Sequence, residues 1–140
     1  MARPTSFRLP EALLARLEEE SRTTAMPVAA LVRTMLDEGL TTRRFPGVVY
    51  RDGPAGRRAG LVGGPDLWEI VRDLRHAPGQ GMDRVEQLAA EIALTADRVR
   101  LALDFYAAQP EEIDRRITAD DEAAAHARRS IDHRERLLSQ

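Results

Sequence analysis

The chain contains no cysteine and no lysine, although 31% of its 140 residues are charged. Without cysteine, neither disulfide bonds nor thiolate chemistry is available, which is typical of proteins in a reducing compartment. All 21 cationic side chains are arginines. The simplest explanation for this is biased codon use, but one consequence holds regardless. Every basic side chain here can make the forked contacts that suit phosphate and guanine.

The sequence also lacks any apolar run long enough to span a bilayer, and its first residues lack the apolar core of a signal peptide. We therefore expect a cytoplasmic protein with no membrane partner. The net charge of −2 gives no strong steering toward nucleic acid. The charge is uneven, however, with +3 over residues 1–60 and −5 over residues 61–140. This asymmetry predicts different partners for the two halves.

Signatures of catalysis are absent as well. The three histidines, His76, His126 and His133, have no carboxylate–histidine cluster at metal-ligand spacing around them. The glycines follow no phosphate-loop pattern, and no nucleophile elbow is present. We therefore expect no enzyme, no metal site and no cofactor.

What is present begins with residues 3–11, which predict a short strand running into a helix. Apolar Phe7 and Leu9 alternate with polar Ser6 and Arg8, the period-2 pattern of a half-buried strand. Pro10 then suits the first turn of a helix. A single strand cannot satisfy its own backbone groups. We therefore expect it to pair with the same strand of a second copy of the chain.

Two helical patterns follow within residues 10–42. The second opens at Pro27, and its apolar residues show the i, i+3, i+4, i+7 spacing of an amphipathic helix, with Gly39 as its expected C-cap. A unit of about forty residues rarely buries enough apolar surface to fold alone. The expected homodimer core comprises Phe7, Leu9, Leu13, Leu31 and Met35.

Residues 7–14 and 26–33 resemble the ribbon-helix-helix family of DNA-binding proteins, of the Arc, MetJ and CopG type. The family often has Ser or Thr near the N-cap of its second helix, where this chain has Met26 and Pro27. The resemblance implies that a two-stranded ribbon enters the major groove of operator DNA. The alternative is a ribbon that serves only to dimerise.

The resemblance also assigns DNA contacts. Ser6 and Arg8 would face the groove, and the fork of Arg8 matches the O6 and N7 atoms of guanine. The free N–H groups near Pro27 and Val28 would bind a phosphate. Arg3 would contact a phosphate or the other subunit.

Residues 43–47 indicate a linker to a second module. Residues 48–51 and 57–62 flank the turn-rich residues 52–56, which predicts a β-hairpin. Arg51, Arg57 and Arg58 either form a basic wing that touches DNA or belong to a solvated hairpin.

Three helices are expected after the hairpin, with Asp66, Asp83 and Thr95 as their N-caps and Pro110 closing the segment. A hairpin followed by short helices resembles a winged helix-turn-helix. On the third helix, Asp97, Arg98 and Arg100 are expected to point outward, which makes a weak recognition surface. Leu101 and Phe105 form a second apolar stripe on this helix. The stripe favours burial against another module or a partner.

Residues 51–58, 63–71, 99–106 and 110–114 resemble a small helix-turn-helix-like domain of bacterial antitoxins. This family is similar to the VapB side of toxin–antitoxin pairs whose toxin is a PIN-like ribonuclease. The resemblance implies autoregulation of an operon and neutralisation of a toxin.

Residues 111–140 predict a helical tail with a thin apolar stripe. The stripe recurs every seven positions, at Ile117, Ala124, Ile131 and Leu138. Such a helix is a solvated terminal helix, a coiled-coil arm or a segment that binds in a partner's groove. The antitoxin resemblance favours the last. It implies that the tail covers the acidic active site of the toxin, with arginines contacting its carboxylates. Those arginines are Arg128, Arg129, Arg134 and Arg136.

The patterns together with these resemblances imply a mainly α protein of three parts: a dimeric ribbon-helix-helix over residues 1–42, a winged-helix-like module over residues 43–110 and a helical tail over residues 111–140. The leading hypothesis is an antitoxin of a type II toxin–antitoxin system that represses its own operon as a homodimer. The alternatives are a stand-alone transcriptional regulator without a toxin, and a scaffold that uses the ribbon only to dimerise.

Overall fold

The structure, a computed structural model, describes residues 1–139. Over these residues the chain forms six helices and one two-stranded antiparallel sheet, so the expectation of a mainly α fold is confirmed. The chain divides into two compact units, Met1–Arg44 and Phe45–Gln140, called here the N-terminal and C-terminal units. Within residues 1–139, no helix combines the length and apolar character needed to cross a bilayer.

The N-terminal unit is a helical hairpin preceded by ten residues in neither helix nor strand. Helix α1 spans Glu11–Thr24 and helix α2 spans Val28–Arg44. Between them, Ala25 adopts the left-handed conformation (φ 52°). The Met26 N–H donates to the Ser21 carbonyl oxygen at 3.1 Å, and the Ser21 hydroxyl donates back to the Met26 carbonyl oxygen at 2.6 Å. This reciprocal pair ends α1 and turns the chain into α2.

Helix α2 does not stop at Gly39, so the predicted C-cap is wrong. The helix continues to Arg44, and the predicted linker at residues 43–47 therefore begins inside it. Gly39 is exposed, and a Cβ at this position would meet no heavy atom within 4 Å. Glycine in an exposed helix interior costs only about 1 kcal/mol relative to alanine. The apolar spacing on both sides of Gly39 therefore outweighs the glycine signal.

The C-terminal unit opens with the predicted β-hairpin. Strand β1, Val48–Arg51, pairs antiparallel with strand β2, Arg58–Leu61, in the register Val48–Leu61 to Arg51–Arg58. Four helices follow: α3 (Leu67–His76), α4 (Met82–Glu91), α5 (Ala96–Ala108) and α6 (Pro110–Leu138).

The first residues of α3, α4 and α5 can be compared with the predicted N-caps. Asp66 precedes α3, and its N–H donates to the Glu69 carboxylate at 3.0 Å. Thr95 caps α5, since its hydroxyl oxygen accepts from the Arg98 N–H at 3.3 Å. The third prediction is wrong, because α4 begins at Met82 after Gly81. Asp83 lies in the first turn instead. The negative charge of an acidic residue in the first turn still interacts favourably with the positive end of the helix dipole.

The core of the C-terminal unit lies between the hairpin and helices α3 to α6. Its most completely buried large side chains are Leu61, Leu67, Ile70, Val99 and Phe105. The rings of Phe45 and Phe105 meet edge-on, with centroids 5.4 Å apart. Phe45 is thus a core residue and not part of a linker. The second apolar stripe of α5 is accordingly covered at Phe105 by the unit's own core.

The start of helix α6 differs from the predicted boundary at residue 110 between the second module and the tail. Pro110 occupies the first helical position of α6, where its missing N–H costs nothing. Ile113 and Ile117 are buried in the core, so the first turns of the predicted tail belong to the C-terminal unit.

A polar network holds helix α6 to α3 and α5. The Tyr106 hydroxyl donates to Asp114 Oδ1 at 3.1 Å, and Arg75 donates to the Tyr106 oxygen at 3.0 Å and also pairs with Asp114. The hydrogen bond to Asp114 raises the pKa of Arg75 above its usual range. One side chain from each of three helices thus fixes how α6 leaves the core.

Candidate nucleic-acid and partner-binding surfaces

The predicted DNA-contacting residues lie on the exposed N-terminal segment. Arg3, Ser6 and Arg8 are exposed, and none of residues 1–10 is paired in a strand. Phe7, expected to face a core, is 78% exposed. The ribbon stays a prediction here, since its strand requires the backbone of another chain.

The N-terminal unit buries almost none of its apolar side chains. Helix α1 has no buried residue, and Leu31 is the one buried hydrophobic residue among residues 1–44. Met35 and Leu36 are each 55% exposed and Leu40 is 70% exposed. The exposed fraction also exceeds one third for Phe7, Leu9, Leu13, Leu14 and Val28. Of the five predicted dimer-core residues, Leu31 is buried within its own chain, and the side chains of the other four are exposed.

The N-terminus of α2, predicted to bind a phosphate, is accessible. The helix begins at Val28 directly after Pro27, whose carbonyl oxygen accepts the Leu31 N–H at 2.9 Å. Val28 is exposed. The first N–H groups of any α-helix have no acceptor within the helix, so this end carries partial positive charge.

The predicted basic wing of the hairpin is largely committed to an internal ion cluster, which the sequence did not indicate. Arg51 Nη2 donates to Asp66 Oδ1 at 2.7 Å, and Arg58 Nε donates to Asp66 Oδ2. The Trp68 indole N–H also donates to Asp66 Oδ2, at 3.3 Å. Asp66 therefore holds the guanidinium groups of Arg51 and Arg58, and these two arginines do not form a free basic wing.

This cluster perturbs the Asp66 carboxyl group. Burial by itself would raise its pKa, but hydrogen bonds from Arg51 and Arg58, the charge of Arg58 and a hydrogen bond from Trp68 outweigh burial. The net effect is a pKa below the usual 3.8. Asp66 is thus held as a carboxylate between two guanidinium groups, and the cluster keeps an excess of positive charge.

Two glycines make room for these guanidinium groups. A Cβ at Gly60 would lie 1.9 Å from Arg51 Nη2, and a Cβ at Gly53 would lie 1.5 Å from Arg58 Nη1. Any side chain at either position would therefore displace an arginine. The sequence pattern places Gly53 in the predicted turn and Gly60 in the second predicted strand, and it indicates no contact with an arginine at either position.

Helix α5 does not offer a free recognition surface. The Arg98 guanidinium donates to the Val62 carbonyl oxygen, and Arg100 pairs with Asp97. Only Asp97 of these three residues is exposed, while Arg98 and Arg100 are half-buried. The basic groups of this helix are therefore occupied within the C-terminal unit.

The predicted toxin-binding residues divide between core and solvent. Ile117 is 5% exposed and packs in the core, so its assignment to a partner surface is wrong. From Asp121 to the end of the described chain, every residue except half-buried Ala125 is exposed. This solvated part of α6, residues 121–138, is called here the α6 extension. It holds the remaining predicted residues, namely Ala124, Arg128, Arg129, Ile131, Arg134 and Leu138.

Comparison of the chain with protein-family models, with curated proteins and with solved structures finds no match. Functional proposals for this chain therefore depend on its residues and their geometry.

Proposed function

We propose that the protein is a homodimeric DNA-binding antitoxin that represses its own operon and neutralises a PIN-like ribonuclease. The observation that carries this proposal is the open apolar surface of the N-terminal unit. A 44-residue unit with one buried hydrophobic residue gains little from its own core. A monomeric protein rarely exposes so large an apolar surface unless a partner covers it.

A second copy of the chain is the occupant that suits this surface. The N-terminal segment alternates Phe7 and Leu9 with Ser6 and Arg8, so pairing two segments would direct both apolar residues inward. Each large apolar side chain fully removed from water contributes about 1.5–3 kcal/mol. The exposed residues of the unit therefore supply enough to offset the entropy of association.

Dimerisation is tested by light scattering coupled to size exclusion. The chain has a mass of 15.6 kDa, and we expect the native protein to elute at twice that mass. Leu36→Glu should shift it to the monomer mass. Val62→Glu is the matched control. Val62 is 56% exposed, nearly the same fraction as the 55% of Leu36, but it lies in the C-terminal unit. A monomeric native protein would refute the dimer.

DNA binding follows from the paired strands. The ribbon would present Ser6 and Arg8 of both copies on one face, with Arg3 and the α2 N-terminus at Pro27 and Val28 beside the phosphates. A bidentate arginine–guanine contact contributes about 1–3 kcal/mol of discrimination.

The DNA test is fluorescence anisotropy on the region upstream of the gene. Arg8→Ala should weaken binding to this DNA about 10-fold or more and remove its preference over unrelated DNA. Arg16→Ala, which also removes one exposed arginine of the same unit, should keep the preference. An Arg8→Ala protein with unchanged affinity and preference would exclude the strand as the reader.

The α6 extension is the proposed toxin-binding segment. It exposes Ile131 and Leu138 on one side and carries Arg128, Arg129 and Arg134. An isolated helix of this length is marginal in water, and a partner's groove would stabilise it. The arginines could pair there with the carboxylates of a metal-dependent nuclease.

The toxin test uses a truncation after Asp121, which keeps the buried Ile117, whereas a cut before Ile117 would remove it from the core. We expect the truncated protein to bind upstream DNA but to lose rescue of cells that express the PIN-like protein of the adjacent reading frame. Full rescue by the truncated protein would exclude the extension. If no such reading frame is adjacent, the stand-alone regulator becomes the better hypothesis.

A further inference from the structure

A basic pocket lies between the hairpin loop and the first half of helix α6, within the C-terminal unit. Its volume is about 320 Å³. Four arginines line it, Arg57 and Arg58 from the hairpin and Arg115 and Arg116 from α6, against a single acidic residue, Glu112. Small alanine side chains, Ile113 and the ring of Trp68 complete the lining.

Two of these arginines are already positioned. Arg116 Nη1 donates to the Ala55 carbonyl oxygen at 2.9 Å, and the Arg116 guanidinium lies 5.7 Å from the centroid of the Trp68 ring. Arg58 is fixed by its bond to Asp66, while its Nη1 is buried and has no hydrogen-bond partner. Because these groups are ordered beforehand, a ligand would not bear the entropic cost of fixing them.

The positive charge of the pocket is only partly neutralised. In the part of the chain that the structure describes, neither Arg115 nor Arg116 forms an ion pair. Arg57 pairs with Asp52 at 3.1 Å and Arg58 pairs with Asp66, so both of these arginines have acidic partners within the chain. Within the described residues, Arg115 and Arg116 thus bring two positive charges that no ion pair neutralises to one concave surface.

We propose that this pocket binds phosphate groups. Guanidinium forks match phosphate oxygens with paired hydrogen bonds, and a ligand with two or more negative charges balances the lining better than one carboxylate. The phosphates belong either to a free anion such as pyrophosphate or to the backbone of a nucleic acid. This inference does not depend on residues 1–44 and goes beyond their proposed contacts with DNA.

The test is calorimetric titration of the full chain with pyrophosphate at low salt, with the emission of Trp68 as a second readout. Trp68 is the only tryptophan and lines the pocket. We expect saturable binding that weakens at least 10-fold in Arg115→Gln/Arg116→Gln. The matched control is Arg128→Gln/Arg129→Gln, which removes the same charge from the same helix outside the pocket and should bind like the native protein.

A second arm identifies the source of the phosphate. If a 20-base-pair duplex of arbitrary sequence displaces pyrophosphate, and binds less well to the first double variant than to the control, the backbone of nucleic acid is the ligand. If pyrophosphate binds and the duplex does not displace it, the ligand is a free anion.

Two results would overturn the proposal: no saturable heat with the native protein, or equal weakening in both double variants. Because Arg116 also contacts the hairpin loop, Arg115→Gln alone is measured as well. Arg115 is exposed and its Nε donates only to the Glu111 carbonyl oxygen. This single variant should fold normally and still weaken binding several-fold.

Discussion

The Asp66 carboxylate gives the sharpest stability prediction. It accepts hydrogen bonds from Arg51, Arg58 and Trp68, and its side chain is 10% exposed. Asp66→Asn removes the negative charge and leaves two guanidinium groups facing one another. Breaking a buried ion pair by removing one partner costs about 3–5 kcal/mol. Because the arginines keep some access to water, we expect the free energy of unfolding to fall by about 3 kcal/mol. This is a large share of the 5–15 kcal/mol by which a typical domain is stable.

The assay is urea unfolding followed by the emission of Trp68, which reports on the C-terminal unit alone because the chain has one tryptophan. With a denaturant slope of about 1–3 kcal/mol per molar, the midpoint should fall by about 1–3 M. Asp52→Asn is the matched control. The Asp52–Arg57 pair is solvent-exposed, so this variant should change stability by less than about 1 kcal/mol.

The effect should also depend on pH with a defined sign. The pKa of Asp66 is lowered on folding from its usual 3.8, so its stabilising contribution is complete well above that value. The contribution is lost as the pH falls through the lowered pKa. The difference between native protein and Asp66→Asn should therefore be constant from pH 7 to pH 5 and shrink below about pH 4. A difference under 1 kcal/mol at pH 7, or one that persists unchanged at pH 2, would refute the argument.

Three further predictions concern packing. Gly60→Ala should displace Arg51 from Asp66 and lower the free energy of unfolding by about 1–3 kcal/mol. This loss should be smaller in the Asp66→Asn background, and a double-mutant cycle of urea unfolding measures the difference. Ile113→Ala should cost about 2–5 kcal/mol, whereas Ile131→Ala on the exposed part of the same helix should stay within about 0.5 kcal/mol in the same assay. Removal of residues 122–140 should leave the Trp68 unfolding midpoint unchanged, and a marked fall would show that the α6 extension packs on the unit.

Local signals in the sequence predicted much of the C-terminal unit. The hairpin followed from two short apolar runs around a turn-rich loop, and α3 and α5 followed from their caps at Asp66 and Thr95. These features depend on residues within a few positions of one another. Apolar periodicity and cap chemistry are therefore sufficient to locate them.

Ambiguous signals produced the errors. Proline is typical both of the end of one helix and of the first turn of the next, and Pro110 serves the second role in α6. Gly39 is equally compatible with a C-cap and with an exposed helical position. Ile117 matched a heptad spacing, but spacing alone does not say whether a residue faces a partner or its own core.

Side-chain contacts between residues far apart in the sequence could not be predicted. Arg51 and Asp66 are fifteen residues apart, and Arg116 meets the Ala55 carbonyl across sixty-one positions. Only the path of the chain brings these groups together. Both the ion cluster and the basic pocket therefore became visible only in the folded structure.

The α6 extension has a consequence for the lifetime of the protein. Its eighteen residues would reach about 27 Å beyond Asp120, at about 1.5 Å per residue. Since almost none of this length is packed, it can unwind locally while the core keeps its structure. Proteases begin at such segments, and four arginines here are trypsin-type cleavage sites. We expect degradation to start in the extension, so that any partner covering it would also set how long the chain survives.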